Sequence, residues 1–369
     1  MSRPRIALSI GCPSGIGPEV SVVTAAKERR AHILLVGDWA AIAAAAKGRG
    51  IGARRLARVD DPHGAWGTAG QIAVWQPTSA LAARDRVPGR PTVAAGAAQL
   101  AWIDAACDLA AKGSADALVT GPVSKEAIVR SGAPGAAHFL GHTEHLQRRL
   151  RAREVVMAFW SPALVTSLAT THLRLSRVPR AVTVDAVARA TYWLAWLLSR
   201  LAIRLPRVAV AALNPHAGEG GLLGSEEVTR LVPGIARARA RLRSDRIAAA
   251  IEGPVPAESA FRLAREKRWD GVVALYHDQA TIPMKLLGFG DAVNVSLGLP
   301  IVRTSVDHGT AYDRAGRWTA DARGMVAAVA LAARLVDRPD RGPRVSARGR
   351  RARKPTMPSE RDRLRRRSV

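Results

Sequence analysis

The stretch GVVALYHDQATIPMKLLGFGDAVNVSLGLPIVRTSVDHGTA, residues 271–311, decides the fold. Residues 272–275 form a short continuous apolar run, the pattern of a buried strand. Tyr276, His277, Asp278 and Gln279 follow at once. In an open α/β sheet, ligands bind just beyond the carboxyl ends of parallel strands, so a His-Asp pair there stands where chemistry is done. Lys285, Asn294 and Arg303 each lie beside apolar sequence, and Asp307-His308-Gly309-Thr310 closes the segment. Buried polar groups need partners; a bound anion, a metal or a cofactor would supply them.

Working outward, the same pattern repeats. Residues 5–10, 31–36, 116–120 and 208–213 read as apolar strands, and 155–171 holds two more strand-like runs. Residues 39–47, 92–112, 183–203 and 225–246 read as helices, the third rich in Trp and Leu for a core or a subunit interface. Residues 11–20, GCPSGIGPEV, turn from strand to helix with Pro18 and Glu19 as the start signal. A glycine turn before a helix can present N–H groups to an anion, or simply connect two elements. Gly121-Pro122-Val123-Ser124-Lys125 is a second strand end leading into a helix, with Lys125 either at a ligand or in solvent. At Gly141-His142-Thr143-Glu144, His142 and Thr143 suit a phosphate at a helix start, or Thr143 caps the helix. Residues 253–258, GPVPAE, read as a rigid loop, and 50–92 show no clear pattern.

The chain of 369 residues is long enough for two domains or one large α/β unit. Its 48% hydrophobic and 23% charged residues are those of a soluble globular enzyme. No apolar run approaches the roughly 20 residues that span a bilayer, and the N-terminus shows no signal h-region. Cys12 and Cys107 are too few for a disulfide framework, so a cytoplasmic location is expected. Of the net charge of +26, residues 341–369 hold 12 Lys/Arg against 2 Asp/Glu. That tail could bind polyanions, but it has no aromatics for base stacking, and a disordered, solvated extension is the expectation. Nucleic-acid binding is therefore not the expected function, nor is membrane association.

His172, His216 and His277 each follow a predicted apolar strand. Imidazole is the commonest transition-metal ligand, and three protein ligands leave positions open for substrate and water. Three separate structural histidines fit the spacing equally well. There is no P-loop, GxSxG, CxxC pair or HExxH.

GCPSGIGPE at 11–19, TGPVSKEAI at 120–128, GHTE at 141–144, THL at 171–173, LNPHAGEGG at 213–221, YHDQ at 276–279 and NVSLGLPIVRTSVDHGTA at 294–311 together resemble the PdxA family of vitamin B6 synthesis. The likeness runs from about residue 5 to about 335. It implies an isocitrate/isopropylmalate dehydrogenase-like α/β fold with two α/β domains, residues 1–135 plus 305–338 and residues 136–304, the active-site cleft between them and a basic tail at 339–369. It also implies a homodimer with active sites at the subunit interface. The family's metal histidines fall on His172, His216 and His277. Its phosphate and substrate contacts fall on His142, Thr143, Lys285, Asn294 and Arg303. Asp307, His308, Gly309 and Thr310 match the loop that receives the adenosine part of NAD.

The implied activity is NAD-dependent (or NADP-dependent) oxidation of 4-phosphooxy-L-threonine to 2-amino-3-oxo-4-phosphooxybutanoate, assisted by a divalent metal such as Zn, Mg, Mn or Co. Decarboxylation to 3-amino-2-oxopropyl phosphate follows. His172, His216, His277 and Lys285 form the expected catalytic set. Three residues depart from the family pattern: Cys12 replaces an acidic residue, Glu258 an Asp, and Arg174 a Pro. They leave the reaction class intact but open the substrate to a related phosphorylated hydroxy acid, 4-phospho-D-threonate or 4-phospho-D-erythronate.

Overall fold

The computed structural model describes residues 3–337 except 65, 67, 69 and 289; the expected basic tail at 339–369 lies outside the described residues. In chain order the strands are β1 Arg5–Ser9, β2 His32–Val36, β3 Leu56–Arg58, β4 Ile72–Trp75, β5 Ala117–Thr120 and β6 Val156–Trp160. They continue as β7 Val165–Leu168, β8 Arg207–Ala211, β9 Ala250–Val255, β10 Gly271–Ala274, β11 Val293–Leu297 and β12 Val302–Val306. The first helices are α1 Gly17–Lys27, α2 Trp39–Gly48, α3 Val93–Ala111, α4 Lys125–Arg130, α5 His142–Arg149 and α6 Val178–Ala181. The rest are α7 Val184–Arg200, α8 Val232–Ser244, α9 Ala257–Arg265, α10 His277–Gly288 and α11 Arg323–Val336. None of the described helices is long and apolar enough to cross a membrane.

One 12-stranded sheet carries the chain, in the order β3-β4-β2-β1-β5-β12-β11-β6-β7-β10-β8-β9. Most neighbours are parallel, but β11 runs antiparallel to β12 and to β6, and β6 antiparallel to β7. Strands covered by helices on both faces lose all contact with water, so their sequences are continuous apolar runs rather than alternating ones. That is why 117–120, 208–211 and 271–274 were legible: every residue in them is buried. Helices α3 and α11 pack on β1, β5 and β12, and α7 packs on β7, β8 and β10. Trp193 of α7 is core, 5% exposed, with its indole N–H donated to Glu154 Oε1 at 2.9 Å.

Starts and turns follow local chemistry. Pro18 stands in the first turn of α1, where its missing N–H costs nothing. Ser124 Oγ caps α4 by accepting from Ala127 N at 3.1 Å. Gly11 (φ 78) joins β1 to α1, and a Cβ there would lie 2.3 Å from Pro122 O, so this close approach of two strand ends requires glycine.

Two expectations need correction. Residues 253–258 are no loop: β9 runs through Gly253, Pro254 and Val255, and α9 starts at Ala257. β9 is an edge strand paired with β8 alone, across a register shift between Ala209 and Ala211; an edge position tolerates a residue with no N–H to give. Thr143 does not cap α5. Gly141 holds the cap position without a side-chain bond, and Thr143 lies inside the first turn.

Candidate active site

A cleft of about 330 Å³ opens at the middle of the sheet, over the carboxyl ends of β5, β10 and β12. Its floor comes from period-two alternation. Asn294 and Ser296 share one face of β11, Arg303 and Ser305 one face of β12, and the register places Asn294 opposite Ser305. Arg303 is 2% exposed. Its Nη1 donates to Ser296 Oγ at 2.9 Å and its Nη2 to Thr120 Oγ1 at 2.6 Å. Ser296 Oγ also lies 3.2 Å from Thr143 Oγ1. Strand ends and the start of α5 are thus stitched together under the cleft.

Three buried polar atoms here have no hydrogen-bond partner: Arg303 Nε, His142 Nε2 and Asn294 Oδ1. All three residues line the same cleft. Buried polar atoms in folded proteins are almost always paired, so such a cluster marks where a ligand supplies the missing bonds. Burial draws the Arg303 guanidinium down to about 9, against the opposing charge of Glu144. It remains a cation at neutral pH. Burial, helped by the charges of Arg303, His145 and Lys125, holds His142 well below the usual imidazole range, so His142 is neutral. Lys125 and Lys285 add charge at the rim. A bidentate guanidinium and two ammonium groups around neutral donors suit a phosphate.

Helix α10 brings a second set. His277, Thr281 and Lys285 recur every fourth residue, which aligns them on one face, and all three line the cleft. The ring of His277 lies 5.3 Å, centroid to centroid, from that of His172 in the segment after β7. His277 Nδ1 is 2.7 Å from Asp278 Oδ1. A carboxylate on one ring nitrogen fixes the tautomer and leaves the other nitrogen as the ligand atom, the usual arrangement behind a metal-bound histidine. Burial, then Lys125, lowers His172, which favours the unprotonated form that binds metals. These two side chains therefore fit a divalent cation. His216 is exposed in a turn after β8 and does not line the cleft. Among the described residues no cluster of three metal-binding side chains forms within one chain.

A second hollow of about 410 Å³ adjoins the cleft, sharing Lys285, Asp307 and His308 with it. Ile16, Ala292, Ala311 and Ala320 give it an apolar wall, and Arg314 and Arg323 stand at its edge. Of the loop expected to hold a nucleotide, Asp307 and His308 line both spaces and Gly309 the cleft. Thr310 instead anchors the loop on α1, its carbonyl accepting from Ile16 N at 3.0 Å. Burial raises the Asp307 carboxyl above its usual range.

Glu144, Ser296, Thr120 and Ser305 also line or brace the cleft and are not among the expected site residues. For the two serines a signal existed: each lies two residues from an expected contact on the same strand. Of the three departures, Cys12 is fully buried with Sγ 3.5 Å from Tyr312 Oη. Arg174 is exposed, and Glu258 accepts from Ser259 Oγ at 2.6 Å; neither lines the cleft.

Comparison with known proteins agrees in one direction. Residues 29–332 match the family model described as pyridoxal phosphate biosynthetic protein PdxA. The 4-hydroxythreonine-4-phosphate dehydrogenase of Geobacter metallireducens is 42% identical over 341 residues, 90% of this chain and 96% of that one. The crystal structure of the Klebsiella pneumoniae enzyme of the same name matches with a TM-score of 0.76 at 31% identity, covering 90% of this chain and 99% of that one. That of the Burkholderia phymatum enzyme matches with a TM-score of 0.74 at 33% identity, covering 91% and 99%.

Proposed function

The chain belongs to the PdxA family, and from that premise we propose that it oxidises 4-phosphooxy-L-threonine with NAD and a divalent metal in pyridoxal phosphate biosynthesis. It is an oxidoreductase, as its relatives are named dehydrogenases. The observation that carries the substrate assignment is the cluster of unpartnered buried atoms on Arg303, His142 and Asn294, which calls for a compact, polar, anionic ligand.

In this reading Arg303 and Lys285 take the phosphate, with His142, Thr143 and Asn294 completing its hydrogen bonds. The cleft is lined both by residues of the segments 1–135 and 305–338, among them Thr120, Lys125 and Asp307, and by residues of 136–304, among them His142, His172, His277 and Arg303. That supports two domains, 1–135 plus 305–338 and 136–304, with the substrate between them. Asp307 and His308 border the adjoining hollow, and the loop they form with Gly309 and Thr310 is our candidate to receive NAD, whose nicotinamide would accept hydride from the substrate carbon. Lys285, at the junction of both spaces, is also our candidate to hold the reacting oxygen; its ammonium donates but cannot accept, so the hydroxyl proton passes to water. The β-keto acid then loses its carboxylate as CO2, and the electron pair left behind is protonated on carbon.

His172 and His277 would hold the divalent cation, which supplies positive charge to the substrate oxygens as they gain electron density. The third ligand in this reading is the partner subunit's His216. Leu175 (70% exposed), Leu222 (84%) and Leu286 (80%) lie close in sequence to His172, His216 and His277. Large apolar side chains so exposed beside a site favour cover by another chain, which supports a homodimer. The test is NADH formation from 4-phosphooxy-L-threonine with and without chelator, in wild type and in His172→Ala and His277→Ala. Turnover that survives chelation would overturn the metal assignment.

A further inference from the structure

The turn that follows β8 has a backbone unlike its surroundings. His216 (φ 52, ψ 30), Ala217 (56, 37), Gly218 (78, 0), Glu219 (45, 53) and Gly220 (69, 13) form a consecutive left-handed run. Three of these five residues carry side chains, for which this conformation is costly. Strain of this kind persists only where the surroundings over-determine it, and it concentrates at functional sites.

What over-determines it here is Glu227, the first residue of the π-helical turn Glu227–Leu231 and only 3% exposed. Glu227 Oε1 accepts from Leu213 N at 2.9 Å and from Asn214 N at 2.8 Å. Its Oε2 accepts from Asn214 Nδ2 at 2.8 Å, and the same amide donates to Glu226 Oε2 at 3.0 Å. A Cβ on Gly218 would lie 2.9 Å from Glu227 Oε2, so the carboxylate sits directly against the left-handed run. Charged acceptors make the stronger hydrogen bonds, and four of them, three to Glu227 and one to Glu226, converge on the two residues that lead into Pro215 and His216. From the other side, Gln279 donates to Ala212 O at 2.9 Å and accepts from Leu275 N at 2.6 Å. That links the root of the turn to the strand end bearing His277.

We propose that Glu227 is the positioning residue of His216: its buried carboxylate clamps Leu213 and Asn214 and so holds the left-handed turn that displays the imidazole. This rests on the reading of His216 as a metal ligand offered to a second copy of the chain. It adds the device that presents it.

The experiment uses the full chain without metal and then with zinc. Hydrogen exchange of the amides in 213–224 is compared in wild type, Glu227→Ala, Glu227→Gln and His216→Ala, and zinc affinity is measured by chelator competition. In E227A the turn should exchange about tenfold faster or more while β8 and β10 keep their protection. E227Q, which retains an acceptor for the two backbone amides, should be intermediate, and it decides the matter if E227A does not fold. Adding Ala217→Gly to E227A removes a side chain from the left-handed run and should restore part of the protection. Unchanged exchange in folded E227A and E227Q overturns the proposal. Zinc affinity should fall in E227A toward that of H216A. If H216A binds zinc as wild type while E227A still loosens the turn, the metal role of His216 fails and the positioning role of Glu227 stands.

Discussion

The rings of His172 and His277 lie together in the lining of the cleft, with centroids 5.3 Å apart and planes inclined by 42°. They come from segments more than a hundred residues apart in the chain, one after β7 and one opening α10, and meet because β7 and β10 are parallel neighbours. With Asp278 on one nitrogen of His277, the pair has the features of a metal site lacking its third ligand. Removing that carboxylate should loosen the metal without emptying the phosphate site. Asp278→Ala is expected to lower zinc affinity about 10- to 100-fold, read by chelator competition. Its affinity for inorganic phosphate, followed by calorimetry, should stay at the wild-type value.

Arg303 should be indispensable as arginine. Its fork joins Thr120 to Ser296 in the floor of the cleft, and a lysine cannot reproduce two parallel donations. Both Arg303→Ala and Arg303→Lys are expected to lower kcat/KM by a factor that corresponds to about 2–5 kcal/mol of transition-state stabilisation. Phosphate should raise the melting temperature of wild type and leave that of either variant unchanged. A phosphate shift retained in R303A would remove Arg303 from the anion site.

Acid should destabilise the protein through His142. Burial lowers its folded-state value below the ordinary 6.5, so the unfolded chain takes up the proton first. Stability is then complete above about 6.5 and is lost as pH falls from there toward the depressed value. Asp307, raised by burial, acts in the opposite sense around the lower carboxyl range, so a comparison of variants isolates the histidine. Melting temperatures of wild type should drop below pH about 6.5, and those of His142→Asn should drop less steeply. Parallel profiles would contradict this.

The rim should separate subunits when charged. Leu286, 80% exposed, sits one residue after Lys285 on α10. Leu286→Glu is expected to give monomers in sedimentation with an unchanged circular dichroism spectrum. Activity should fall with dimer content, because each cleft would lose the partner subunit's His216. A fully active monomer would contradict a shared site.

The sheet was legible at strands such as 117–120 and 272–274, where burial on both faces makes the whole run apolar, but β4, β11 and β12 went unread although each is mostly buried. It was not legible at β9, where Gly253 and Pro254 read as a break although an edge strand accepts them. In the site, the residues at strand ends could be named from the sequence. Their grouping could not, because spacing along the chain carries no register. Hence Ser296 under Arg303, the contact between Cys12 and Tyr312, and the separation of His216 from the other two histidines all had to come from three-dimensional structure. The left-handed turn is the clearest case: two of its five residues are glycines, and nothing in the sequence of the others announces their backbone.

A metal-assisted dehydrogenase for a phosphorylated amino acid must form NADH from that substrate. Purified protein with NAD and a divalent metal is offered 4-phosphooxy-L-threonine and 4-phospho-D-erythronate in parallel, before and after chelation. Turnover of the first, abolished by chelation and restored by metal, is expected. Preference for the second would retain the mechanism and overturn the substrate, and no turnover of either would contradict both.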